Sequence, residues 1–152
     1  MASTVFPEAA AGKTRFITTL TSGTSYTVPT GVTYVNVTLH GGGGGSYASA
    51  STNGSQTGMP GQMISSNLTT TPGGSIAYAI GAGGTAGSGP TAAGVGGTTT
   101  FTGATSAVGG TSVGTGVGAA GTAQAGFMNG GSVASTTGRA GGAGYIEVEY
   151  WA

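Results

Sequence analysis

The sequence predicts an all-β protein: an antiparallel β-sandwich, jelly-roll-like, carrying long glycine-rich loops. Three observations carry that expectation. Large apolar residues fall in short runs that alternate with period two, the spacing of half-buried strands. Those runs are rich in Val, Ile, Thr and Tyr, which suit a pleated surface. Helical composition is confined to residues 8–13, too few for more than a turn. A length of 152 residues fits one domain, divided into an N-terminal arm over residues 1–13 and a glycine-rich β-sandwich domain over residues 14–152.

In chain order, residues 15–20 form the first expected strand. Residues 24–28 and 32–40 follow, joined by Val28-Pro29-Thr30-Gly31, which puts Pro second and Gly fourth in a type I turn. So short a link predicts that its two strands pair antiparallel. Within 32–40, Val35, Val37 and Leu39 point inward while Tyr34, Asn36, Thr38 and His40 point outward. Residues 62–68 follow with Ile64 and Leu68 inward, then 75–80 with Ile76, Tyr78 and Ile80 on one face. Residues 98–102 lead into Phe101, and 145–151 place Ile146, Val148 and Tyr150 on one face.

Glycine-dense segments at 41–61, 81–97, 103–131 and 138–144 separate these strands, and as structureless loops they would be longer than a compact domain tolerates. Gly81, Gly84 and Gly87 are three apart, as are Gly94 and Gly97, Gly118 and Gly121, and Gly138, Gly141 and Gly144. Three residues make one turn of a polyproline-II-type helix, and only Gly lets such helices touch along their backbones. Packed polyglycine-II helices would therefore satisfy the backbone where there are no side chains to bury. The register of threes is also interrupted, as a chance spacing would be. Large apolar side chains are few for a chain this long, so a homo-oligomer, a trimer in preference, is expected to supply the missing burial.

Composition excludes most chemistry. Three cations and three anions, with 4% charged residues in all, are too few to hold nucleic acid or an anionic membrane surface. No Cys and no Asp occur, and there is one His. Neither a signal peptide nor a membrane-inserted helix is expected, because no basic start precedes an apolar run and no apolar run reaches 18 residues. Gly110-Thr111-Ser112-Val113-Gly114 matches a nucleophile elbow, but a serine hydrolase needs a His oriented by a carboxylate, and His40 has no such neighbour in sequence. Gly12-Lys13-Thr14 and the G-x-G-x-x-G run at 116–121 lack the strand and acid that phosphate or dinucleotide loops require. Metal sites need clustered His, carboxylate or thiolate groups. The reading is a non-enzymatic protein with no cofactor and no metal.

Recognition is expected from loop residues stranded among glycines: Tyr47, Asn53, Gln56, Met59, Gln124, Phe127, Met128 and Asn129. Aromatic rings stack on apolar faces while amides both donate and accept, a combination suited to glycan or protein surfaces. Against this, Phe127 and Met128 equally suit a cap on the sandwich or a subunit contact. Phe6, Tyr145 and Trp151 are the candidates for assembly.

Residues 26–33, the strand 34–40, the run 41–45, Pro72-Gly73-Gly74 before 75–80, Gly81-Ala82-Gly83-Gly84, the run 96–101 and the ending 141–151 form an ordered set. That set resembles the glycine-rich domain of bacteriophage tail-fibre, adhesin and related virion surface proteins, from about Thr18 onward. The resemblance implies a virion protein assembled in the host cytoplasm, a tail fibre or tip component touching a host surface glycan or protein and other virion proteins. Capsid decoration is the alternative, because only a short arm precedes the sandwich. Ice binding is a third, prompted by Thr98, Thr100 and Thr102 on one strand face.

Overall fold

The structure is a computed structural model that describes residues 12–48, 57–88, 91–112 and 138–152. In chain order the strands are β1 (Arg15–Leu20), β2 (Ser25–Thr27), β3 (Tyr34–His40), β4 (Tyr47–Ala48), β5 (Met63–Thr69), β6 (Ser75–Ala79), β7 (Gly87–Ser88), β8 (Thr100–Phe101) and β9 (Tyr145–Trp151). No helix occurs among the described residues. A four-stranded antiparallel sheet has the order β1-β9-β3-β5 and a three-stranded one the order β2-β6-β8, while β4 and β7 pair in parallel.

The period-two pattern sets what lies between the two sheets. Val35, Val37 and Leu39 of β3 and Ile146 and Val148 of β9 are fully buried in one cluster with Tyr26, Tyr78 and Phe101 from the other sheet and Val28 from the link that follows β2. Ile64, Leu68, Ile76, Ile80 and Tyr150 pack around them. Phe101 stacks near Tyr78, ring centroids 6.4 Å apart, and tilts against Tyr26 at 6.2 Å.

One expected pairing is overturned. β2 and β3 do not form a hairpin; they belong to different sheets, β2 beside β6 and β3 between β9 and β5. Val28 and Val32, both buried, anchor the link in the space between the sheets, so burying them requires the chain to cross. The turn is also one residue later than expected and is of type II rather than type I. Val32 N donates to Pro29 O at 3.2 Å, with Gly31 third in the turn at φ 81°. The Thr71–Gly74 corner between β5 and β6 repeats the device, with Gly73 at φ 74°. Val28 N to Gly74 O (2.8 Å) and Gly73 N to Val28 O (2.9 Å) tie the two corners together.

Beyond one end of the sandwich the glycine segments form a bundle of extended chains. Residues 41–46, 81–87 and 107–111 run away from the sheets, and 57–62, 91–98 and 138–144 run back. The 41–46 chain lies at the centre and is buried throughout. Its successive N–H groups turn to three different neighbours in rotation. Gly41 and Gly44 donate to Gln62 and Met59 (2.9 and 2.8 Å), Gly42 and Gly45 to Gly97 and Gly94 (3.0 and 2.9 Å), and Gly43 and Ser46 to Gly142 and Arg139 (2.8 and 2.9 Å). That rotation is the threefold repeat of polyglycine-II packing. Between these directions, Gly42 O accepts from Gly110 N, Gly43 O from Gly84 N, and Ser46 O from Gly87 N. The outer chains also bond to one another, as in Gly94 N to Thr85 O and Gly141 N to Gly84 O.

Close approach explains the composition. A Cβ on Gly42 or Gly45 would collide with the carbonyl of Ala82 or Thr85, and one on Gly41 or Gly44 with that of Val108 or Thr111. Thr99, fully buried, splices sheet to bundle by donating from Oγ1 to His40 O (2.7 Å) and accepting from Gly81 N (3.0 Å).

Gly45→Ala is expected to cost roughly 3 kcal/mol or more, because backbone rather than a yielding side chain blocks the new methyl. Gly31→Ala, in open space but at positive φ, is expected to cost about 1–2 kcal/mol. Denaturant titration of the two variants checks the ordering. A second expectation concerns Tyr26, whose buried hydroxyl has no hydrogen-bond partner and whose pKa burial, helped by Tyr150, pushes up to about 12. Because the folded pKa lies above the unfolded value of 10.0, the folded state holds the phenol proton longer, so this group leaves stability unchanged below pH 10 and lowers it as pH rises toward 12. Tyr26→Phe is expected to leave neutral-pH stability equal or higher and to reduce the alkaline loss, read from melts across that range.

Candidate functional site

Two surfaces are positioned by this architecture. The first is the far end of the glycine bundle. The three outgoing chains leave the described residues at Ala48, Ser88 and Ser112, and the returning chains resume at Thr57, Thr91 and Gly138, all at that pole. Ser46 closes the centre there: its Oγ accepts from Arg139 N (2.8 Å), while its N–H donates to Arg139 O. Arg139 and Met59 are exposed. Tyr47, expected on an exposed loop, is only 8% exposed, a correction to its recognition role. It follows directly on the buried central chain and starts β4, which pairs with Gly87 and Ser88, so the chain is still inside the bundle at this point. Asn53, Gln56, Gln124, Phe127, Met128 and Asn129 lie outside the described residues, as does Phe6.

The second surface is the outer face of the four-stranded sheet, which gathers most of the charge of the described residues. Register places polar rungs across it. Ile17, Glu149, Asn36 and Asn67 form one row, and Thr19, Glu147, Thr38 and Ser65 the next. Asn36 Nδ2 donates to Asn67 Oδ1 (2.7 Å), Thr38 and Ser65 share a hydroxyl bond (2.9 Å), and Arg15 pairs with Glu149. Tyr145 and Trp151 are both on this face but at opposite ends of β9, about 20 Å apart at strand rise. They therefore do not make one patch.

His40 sits at the bundle end of this face, stacked on Tyr145 with ring centroids 4.0 Å apart. Expected as an exposed strand-end residue, it is buried, and neither ring nitrogen has a hydrogen-bond partner. Among the described residues no cluster of His and carboxylates could hold a metal. Burial lowers the His40 pKa, and the nearby Glu147 carboxylate opposes that shift. With the folded value below the unfolded one, the unfolded chain binds more protons, so stability is expected to fall as pH drops below about 6.5. His40→Phe, which keeps a ring against Tyr145, is expected to flatten the stability profile between neutral and acid pH, measured by denaturation midpoints.

β1 spans the residues expected of the first strand, but the exposure of its two adjacent large apolar side chains was not foreseen from the sequence. Phe16 and Ile17 are 43% and 53% exposed. The signal was available: two adjacent large apolar residues in a strand face opposite ways, so one cannot reach the core.

No curated protein matches the chain. Residues 18–150, from within β1 through the glycine bundle to near the end of β9, match the glycine-rich domain family. The match takes in both sheets and every described glycine chain, and the chain belongs to the glycine-rich domain family.

Proposed function

We propose that the protein is a non-enzymatic structural component of a bacteriophage virion surface, a tail fibre or tip protein that meets the host with the far end of its glycine bundle. The observation that carries this reading is polarity. Thr14 and Ala152 exchange backbone bonds (2.8 and 3.0 Å) at the pole of the sandwich remote from the bundle, so both ends of the domain lie together there. The outgoing glycine chains leave the described residues, and the returning chains resume, at the opposite pole, in a backbone-bonded lattice that tolerates little side-chain change. Two ends held together at one pole, with a stiff glycine bundle projecting toward the other, suit a spike that would attach at the first and meet a surface with the second. The resemblance to virion surface proteins supports the same reading.

Ice binding is favoured by one separate feature. The outer face of the three-stranded sheet carries Ser25, Thr27, Ser75, Ala77, Ala79 and Thr100, with no charge.

Immunogold labelling of particles produced from the encoding genome tests the main reading. Gold at tail extremities is expected. Gold over the heads would replace the fibre role with capsid decoration, and unlabelled particles would sink both. Thermal hysteresis of the purified protein, expected to be nil, would turn the reading toward ice.

A further inference from the structure

The two edges of the four-stranded sheet are unlike. Along β5 the segment 103–108 covers the edge: Thr105 N donates to Ser66 Oγ (3.4 Å), Val108 N to Gln62 Oε1 (3.2 Å), and Gln62 N to Val108 O (2.8 Å). Along β1 there is no such cover among the described residues. The reciprocal bonds between Thr14 and Ala152 set the phase of the β1–β9 ladder. In an antiparallel pair, bonded and non-bonded residue pairs alternate, so Phe16, Thr18 and Leu20 exchange bonds with Tyr150, Val148 and Ile146. The N–H and C=O groups of Arg15, Ile17 and Thr19 consequently point away from β9, out of the free edge.

Nothing on this edge discourages pairing. Sheet proteins guard open edges with Pro, Lys, bulges or inward charge. β1 reads RFITTL, with no Pro, Lys or Gly. Its one charge, Arg15, is held across the sheet by Glu149. Arg15, Phe16, Ile17 and Thr19 are all exposed. We propose that this edge pairs antiparallel with β1 of a second copy, joining two four-stranded sheets into one continuous sheet across a two-fold axis at Ile17.

The pattern is self-complementary about that axis. Ile17 falls opposite Ile17 of the second copy, Arg15 opposite Thr19, and Phe16 opposite Thr18. Every outward N–H of the strand then meets an outward C=O, and no like charges face one another. The same pairing covers Phe16 and Ile17, the two large apolar side chains that the single copy leaves in water on this strand. This assembly does not depend on the virion reading, since it uses only the sandwich and not the bundle tip.

Sedimentation of the wild type at micromolar concentration, with Ile17→Pro and Ile17→Lys beside it, tests the inference. Pro at 17 deletes an outward N–H and leaves the β1–β9 bonds intact, as edge positions permit; Lys keeps the N–H but adds a guarding charge. The wild type is expected to be a dimer and both variants monomers with unchanged far-UV spectra. Hydrogen exchange at the amides of Ile17 and Thr19 is expected to be at least about tenfold slower in the wild type than in Ile17→Lys. A wild-type monomer would overturn the inference, including one whose edge amides are protected only by an added extended peptide. So would a dimer or trimer that survives both substitutions, or one in which the Ile17 amide exchanges freely.

Discussion

A buried peptide group must find a hydrogen-bond partner, and the rest of this structure depends on how the 41–46 chain meets that demand. Six successive residues are buried with almost no side chains, and their N–H groups are answered in rotation by three neighbouring chains. In a sheet a buried strand uses two neighbours; here the threefold rotation of the extended chain recruits three for its N–H groups and others for its carbonyls. Distances of 2.7–3.0 Å around the whole set leave no room for a Cβ at the contact positions. The high glycine content is thus a consequence of dense backbone packing.

The sandwich makes this possible by delivering the chains in register. β3, β6 and β9 abut glycine chains directly, and the buried Thr99 bonds sheet carbonyl to bundle amide at the junction. The small side-chain core between the sheets holds the strand ends in place, while the bundle adds backbone bonds in a region that has no core of its own. Each part lacks what the other supplies. A chain with few large apolar residues can fold this way because hydrogen-bond satisfaction, not apolar area, organises its second half.

Polar chemistry is sparse and concentrated. Arg15, Glu147, Glu149 and His40 share the outer face of the four-stranded sheet, whereas the opposite sheet presents Ser, Thr and Ala. His40 is the exception to orderly pairing, buried against Tyr145 without a partner for either nitrogen. It stands at the last strand residue before the central glycine chain, where the backbone must stay fixed for the lattice to begin in phase.

By itself the sequence determined the strands and their inward faces. Alternation in 32–40 and 145–151 is enough to name Val35, Val37, Leu39, Ile146 and Val148 as core, because period two is a property of the chain alone. Spacing by threes likewise pointed to extended glycine helices before their partners were known. Tertiary structure alone decided which strands pair and what is exposed. Val28-Pro29-Thr30-Gly31 looks local, yet the burial of Val28 and Val32 between the sheets turns it into a crossing. Tyr47 sits among residues of loop composition, yet follows a chain enclosed by its neighbours, and His40 on a polar face is covered. Pairing and enclosure depend on residues far away in sequence, and local patterns of side chains carry no record of them.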